Sequence, residues 1–256
     1  MTTGSRTGYA SYVICTSPRS GSTLLCKLLA ATGQAGKPGS YFHDPSLEGW
    51  LRYFQLDDEV FDTETEQLKA VFSAAWKKGT NGTGLFGLRL QRGSFAFFSE
   101  KLRHLHPGPD SDVGRVEAAF GKTLFIHLTR GDKLAQAVSL VKATQSGLWH
   151  KAPDGTELER VSEPRAPVYD AEAISRQIEL MTAHDRDWAG WFASERIEPL
   201  RITYDALSSD PEAVLKRVFA RLGLDEAAAT GIDLPVAKLA DDINREWMDR
   251  YRSEQV

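Results

Sequence analysis

A chain of 256 residues, 41% hydrophobic and 26% charged, has the balance of an ordinary globular protein and the length to bury a sizeable core. A formal net charge of -4 excludes a general nucleic-acid binder, which needs a basic face, but leaves room for a local basic pocket. The opening MTTGSRTGYAS has no apolar run of signal-peptide length, and runs such as TLFIHL are too short to span a bilayer. The expectation is a cytoplasmic protein with neither nucleic-acid nor membrane partners.

In chain order, residues 1–10 read as a flexible tail, and YVICT (12–16) as the first of four buried strands. The others are 85–90, 123–129 and 200–204, all lacking strict polar alternation, as strands covered on both faces do. Between them the periodicity predicts helices over 63–78 (Leu68, Val71, Phe72, Trp76) and 171–195. In the latter, Ile174, Ile178, Met181, Trp188 and Trp191 form an apolar stripe better read as core than as a ligand platform. A further helix falls within 208–224, with Asp210 as N-cap, Pro211 in the first turn and Gly223 at the stop. The Gly/Pro/Asp-rich stretches 79–84, 107–114 and 152–167 read as surface loops. Cys15 and Cys26 lack metal or redox spacing and read as buried structural residues. Alternating strands and helices predict one α/β domain, a parallel sheet with helices on both faces.

Chemistry concentrates in two places. The first strand runs into SPRSGST, a polar turn opening a helix, where backbone N–H groups and the helix dipole favour an anion. In the ATP-binding pattern G-x-x-x-x-G-K-[ST], lysine neutralises the outer phosphates and the hydroxyl binds magnesium. Here Gly21 and Thr23 match, but Thr16 replaces the first glycine and Ser22 the lysine, which leaves Arg19 as the cation of the turn. The strand LFIHLTR ends in Arg130 where a metal carboxylate would stand, so the pattern points to anion binding without a metal. Arg130 lies where α/β ligand sites gather, and Ser139 follows on the next helix. The two can meet only if Arg130 precedes the helix and folds back over it. The bland alternative is a surface arginine and a helix-interior serine.

Of the histidines, His104 and His106 lie two apart and do not make a metal pair, His127 falls inside a strand, and His184 has no motif around it. His150, beside Trp149, is a weaker candidate for the border of an acceptor pocket.

The stretches SPRSGSTLL, ATGQAGKP…YF, R-GDKLAQAVS…QSGLW, EPLRITYDALSSDPEAVLKRVFARLGL and REWMDRYR together resemble the sulfotransferase superfamily. That superfamily uses 3′-phosphoadenosine 5′-phosphosulfate (PAPS); the bacterial trehalose sulfotransferase family is the more closely similar branch. The resemblance implies a single domain over 1–256 with a P-loop-like sheet, PAPS as donor, 3′-phosphoadenosine 5′-phosphate (PAP) as product, and no metal. It implies that Arg19, Ser20, Gly21, Ser22 and Thr23 hold the 5′-phosphosulfate and that Arg130 and Ser139 hold the 3′-phosphate. It also suggests a homodimer with the REWMDRYR helix near the interface. The acceptor would be a hydroxyl of a small carbohydrate or related metabolite. A sulfuryl group carries less negative charge than a phosphoryl group, so by analogy with phosphoryl transfer, catalysis is mostly positioning plus stabilisation of the departing phosphate oxygen by Arg19 and nearby N–H groups.

The attacking hydroxyl needs a base. Where the trehalose pattern reads AGEPQEYF, with acidic residues on the acceptor and one glutamate proposed as base, this chain has Lys37 and Ser40. His43 is the nearest replacement, then Asp44 and Glu48; alternatively, His43-Asp44-Pro45-Ser46 is a turn and helix cap. Lys37, Ser40, Asp44 and Arg89 are therefore acceptor candidates, and Lys37 could favour an acidic acceptor. Arg89 and Arg92 line the same cleft or are salt-bridged at the surface. Two other readings stay open: a PAP/PAPS-binding protein that has lost its base, and a small-molecule kinase using the turn for ATP.

Overall fold

The structure is a computed structural model; it describes residues 8–233 and 241–255. In chain order the elements are β1 (Ser11–Thr16), α1 (Ser22–Ala31), α2 (Leu47–Phe54), α3 (Glu64–Thr80), β2 (Phe86–Gln91), α4 (Arg92–Leu105), α5 (Asp112–Phe120), β3 (Thr123–Thr129) and α6 (Lys133–Ser146). There follow β4 (Leu148–Lys151), β5 (Glu157–Arg160), α7 (Ala171–Ser194), β6 (Leu200–Thr203), α8 (Tyr204–Ser209), α9 (Pro211–Leu222) and α10 (Asp242–Glu254). The sheet has the order β2-β1-β3-β6 and every neighbour is parallel. All four carboxyl ends therefore open on one edge, and the turns leaving them face a common crevice.

The continuous apolar strands have the expected cause. Alternate residues of β1 enter opposite cores: Tyr12 and Ile14 pack with α1, α8 and α9, while Val13 and Cys15 pack with aromatic-rich α3, α4, α5 and α7. A third cluster joins α6 (Ala137, Val138, Val141) and α7 (Ile174) to Trp247 of α10. Cys15 and Cys26 are both buried and free. Among the described residues no helix is long and apolar enough to cross a membrane.

The four predicted strands and the helices over 63–78 and 171–195 are present within two residues of their expected bounds. In the α9 region, Asp210 caps through Ala213 N, Pro211 starts the helix, and Gly223 ends it at φ 69°. Three expectations need correction. Residues 1–7 of the expected tail lie outside the described residues, but Ala10 is tied to the sheet, donating to Lys122 O and accepting from Phe86 N. Of the loop 107–114, residues from Asp112 onward belong to α5, whose cap is Ser111; Gly114 in its first turn disguises the start. Within 152–167, β5 pairs antiparallel with β4. The β5 residues Glu157, Leu158 and Glu159 are exposed, so the hairpin has no buried face to write an apolar period into the sequence.

Candidate active site

The turn after β1 is held from beneath. Trp188 of α7, wholly buried, donates its indole N–H to Thr16 O (2.9 Å). Gln136 of α6, also wholly buried, donates to Ser17 Oγ (3.0 Å) and Pro18 O (2.6 Å). Lys133 bonds Asp185 (2.5 Å), Arg130 O (2.6 Å) and Gln136 Oε1 (3.2 Å), which ties the β3 end to the same base. This scaffold keeps Arg19 at φ 59°, a left-handed conformation that a non-glycine residue adopts at a cost of order 1 kcal/mol. Gly21 sits at φ 89°, and a Cβ there would come within 2.6 Å of the Tyr204 ring, so the turn closes against α8 only with glycine.

Above the turn opens a cavity of about 940 Å³, lined among others by Arg19, Gly21, Ser22, Thr23, Ser40, His43, Asp44, Arg89, Arg130 and Ser139. Arg19 donates from Nε to Ser139 Oγ (3.0 Å) and from Nη1 to Trp149 O (2.9 Å). Arg130 donates to Arg19 O (3.3 Å) and stacks over the Tyr204 ring at 4.4 Å, while its buried Nε has no partner among the described residues. Arg89 donates to Ser40 Oγ (2.6 Å) and Thr23 Oγ1 (2.7 Å). None of the three arginines has a carboxylate partner among the described residues; their bonds go to neutral oxygens. Burial first, and the neighbouring Arg130 second, pull the Arg19 guanidinium down to about 10, so it is still charged at neutral pH. Glu159 offsets part of this, but desolvated like charges that are not ion-paired make a strong anion site. The N-terminus of α1 adds to it, since no side chain caps that helix.

The two clusters that the sequence separates into two anion sites are in contact here through the Arg19–Ser139 bond. Arg130 precedes α6, as its meeting with Ser139 required, but the direct partner of Ser139 is Arg19. Ser20 is wholly buried, its hydroxyl 2.5 Å from Thr16 Oγ1, so its side chain is turned away from the cavity. Ser22, at the position of the ATP-loop lysine, is nearly buried at the helix start.

On the opposite wall, Arg89 N bonds Gly39 O (2.9 Å), which seats Ser40 beside β2. Lys37 is exposed and does not line the cavity; its backbone N–H goes to Gly79 O (2.8 Å), which points this stretch towards α3. Arg92 leaves the cleft as well, lying over Phe95 and Trp188 with Asp187 4.0 Å away. The cap of α2 is Ser46, accepting from Gly49 N (2.9 Å), and the Asp44 carboxylate folds over Gly49. Glu48 pairs with Arg52 (2.6 Å). His43 is exposed at the rim, and no hydrogen bond holds its ring among the described residues.

Sequence reasoning did not reach Gln136, Trp149 as an anchor for Arg19, or Glu159, which pairs with His150 across the hairpin at 2.6 Å. Tyr204 lay in plain view in the Y-D-A-L stretch, yet nothing local says that its ring meets Arg130. Among the described residues no three His, Cys, Asp or Glu side chains gather as a metal-binding group.

Comparison with known families decides the kinship. The Stf0 sulphotransferase family model matches residues 11–254. The chain belongs to the Stf0 sulphotransferase family. Trehalose 2-sulfotransferase of Mycobacterium tuberculosis (strain ATCC 35801 / TMC 107 / Erdman) is 29% identical, over 95% of this chain and 94% of that protein. Trehalose 2-sulfotransferase of Mycolicibacterium smegmatis (strain ATCC 700084 / mc(2)155) is 28% identical, over the same shares. Among solved structures, the sulfotransferase domain of the Synechococcus PCC 7002 olefin synthase superposes with a TM-score of 0.45 at 16% identity, covering 96% of this chain and 88% of that one. A sulfotransferase from Alicyclobacillus acidocaldarius gives 0.43 at 13% identity, covering 96% and 92%. The family and its named relatives mark this member as a transferase.

Proposed function

We propose that this family member transfers the sulfuryl group of PAPS to a hydroxyl of a small carbohydrate or related metabolite. The observation that carries the reading is the convergence of Arg19, Arg89, Arg130 and the uncapped α1 N-terminus on one cavity at the strand ends, where none of the three arginines is ion-paired with a carboxylate among the described residues. In this reading Arg19 and the backbone of Ser20, Gly21, Ser22 and Thr23 hold the 5′-phosphosulfate. Arg130, whose Nε is unpartnered among the described residues, holds the 3′-phosphate, and Ser139 exchanges Arg19 for that phosphate when nucleotide enters. A cavity of this size suits a nucleotide together with part of an acceptor.

Catalysis is then in-line transfer. The acceptor oxygen bonds to sulfur as the sulfur–oxygen bond to the 5′-phosphate breaks, and the electron pair left on that phosphate oxygen is stabilised by Arg19 and nearby N–H groups. Such donors act without a metal. Ser40 and Arg89 sit on the acceptor side. A homodimer with α10 near its interface belongs to the same reading, and sedimentation of the free chain would test it.

Trehalose heads the acceptors to try, because the curated relatives are named for it. Incubated with PAPS and a panel of sugars and sugar acids, the protein should release PAP in step with a sulfated product. PAP binding without product from any acceptor would favour a binding protein that has lost transfer.

A further inference from the structure

Resting on that reading, the structure points to a base that the changed acceptor segment no longer supplies. We propose that His150, oriented by Glu159, is the general base that takes the proton of the acceptor hydroxyl.

After α6 ends at Gly147 (φ 71°), the chain turns back at once, and the hairpin is fastened to the helix end. Arg160 donates to Ser146 O (2.7 Å) and Val161 N to Gly147 O (2.9 Å). The β4–β5 register sets His150 directly opposite Glu159. Cross-strand neighbours meet at side-chain distance, and here His150 Nδ1 lies 2.6 Å from Glu159 Oε2. A carboxylate on Nδ1 fixes the ring and leaves Nε2 to accept a proton, the division of labour of a histidine base held by an acid.

The residue before His150 offers its carbonyl to Arg19 Nη1 (2.9 Å), and Arg19 is the cation assigned to the departing phosphate oxygen. The hairpin thus brings the imidazole to the wall beside the transfer point, and His150 lines the cavity. Of the histidines among the described residues only His43 and His150 line it, and His43 is exposed with its ring unheld. Ser40 is engaged by Arg89, Asp44 folds over Gly49, and Glu48 faces Arg52.

The charges around His150 suit the task. Burial lowers its pKa below 6.5, and Arg19 and Arg89 push the same way, against the hydrogen-bonded Glu159 carboxylate, which raises it. At neutral pH the ring is therefore uncharged and able to accept. In the step, Nε2 takes the hydroxyl proton as the acceptor oxygen bonds to sulfur, and the phosphate oxygen keeps the electrons of the broken bond.

The test compares wild type, His150→Gln, Glu159→Gln and His43→Gln, with PAPS and whichever acceptor wild type uses, across pH 5–9. H150Q should lose roughly 100-fold or more in kcat, with PAP affinity by calorimetry within about twofold of wild type, which separates lost chemistry from misfolding. In wild type the acid limb of kcat/KM should lie below pH 6.5. E159Q removes the carboxylate that favours the charged ring, so that limb should move to lower pH; a purely structural role would lower the rate at every pH without moving it. Wild-type-like turnover by H150Q, an unmoved limb in E159Q, or a loss in H43Q instead would overturn the proposal. If wild type moves no sulfuryl group to any acceptor, the transferase reading itself fails and the base falls with it.

Discussion

Arg19→Ala is expected to lower kcat by about 100- to 1000-fold, the cost of removing one preorganised donor from a developing oxyanion. The guanidinium is largely buried, hydrogen-bonds only neutral oxygens among the described residues, and has Arg130 against its own carbonyl; burial and Arg130 together outweigh the favourable charge of Glu159, so its charge is a net cost to the free protein. Removing it relieves repulsion between two desolvated cations. Thermal stability of the free protein should therefore hold or rise slightly while transfer collapses, and that opposite movement is the signature of a residue kept for its ligand. Backbone N–H groups of the turn remain in place, so PAP should bind more weakly but not vanish. Single-turnover kinetics beside a melting curve check both halves. Activity and stability falling together would mean that Arg19 holds the turn rather than the anion.

Arg130→Ala should weaken PAP binding by roughly 10- to 100-fold, as expected for losing charge-assisted hydrogen bonds to a phosphate. The affinity for 5′-AMP, which lacks the 3′-phosphate, should change less than about threefold. The selectivity follows from geometry: Arg130 is fixed by stacking on Tyr204 and by Arg19 O, and its buried Nε has no partner among the described residues. Calorimetric titration of both nucleotides into both proteins decides it. Equal losses would show that Arg130 supports the turn or the purine rather than reading the 3′-phosphate.

How far the sequence speaks can be judged from particular residues. Strands buried on both faces leave continuous apolar runs, and α9 carries its own punctuation in Asp210, Pro211 and Gly223, so the sheet and that helix were legible. The gathering of Arg19, Thr23 and Arg130 at one edge was legible too, because strand-to-helix turns in a parallel sheet converge there whatever the loops do. Side-chain direction was less so. Ser20 turns inward to Thr16, and Lys37 stays outside the cavity, because both answer to contacts distant in sequence or to turn geometry without a local signature. The His150–Glu159 pair depends on the register of an exposed hairpin, and hairpins without a buried face write no periodic signal. Gln136 would pass for a surface residue on α6, yet it is wholly buried because the turn after β1 needs donors for Ser17 and Pro18.

The measurement that bears most directly on the central claim is calorimetric binding of PAP against ADP, with chelator present to remove divalent metal. The account predicts micromolar or tighter binding of PAP and much weaker binding of ADP, because only PAP presents a 3′-phosphate to Arg130 as well as a 5′-phosphate to the turn. Equal affinities, or ADP binding that appears only when magnesium is restored, would contradict it and assign the cavity to a nucleoside-polyphosphate enzyme.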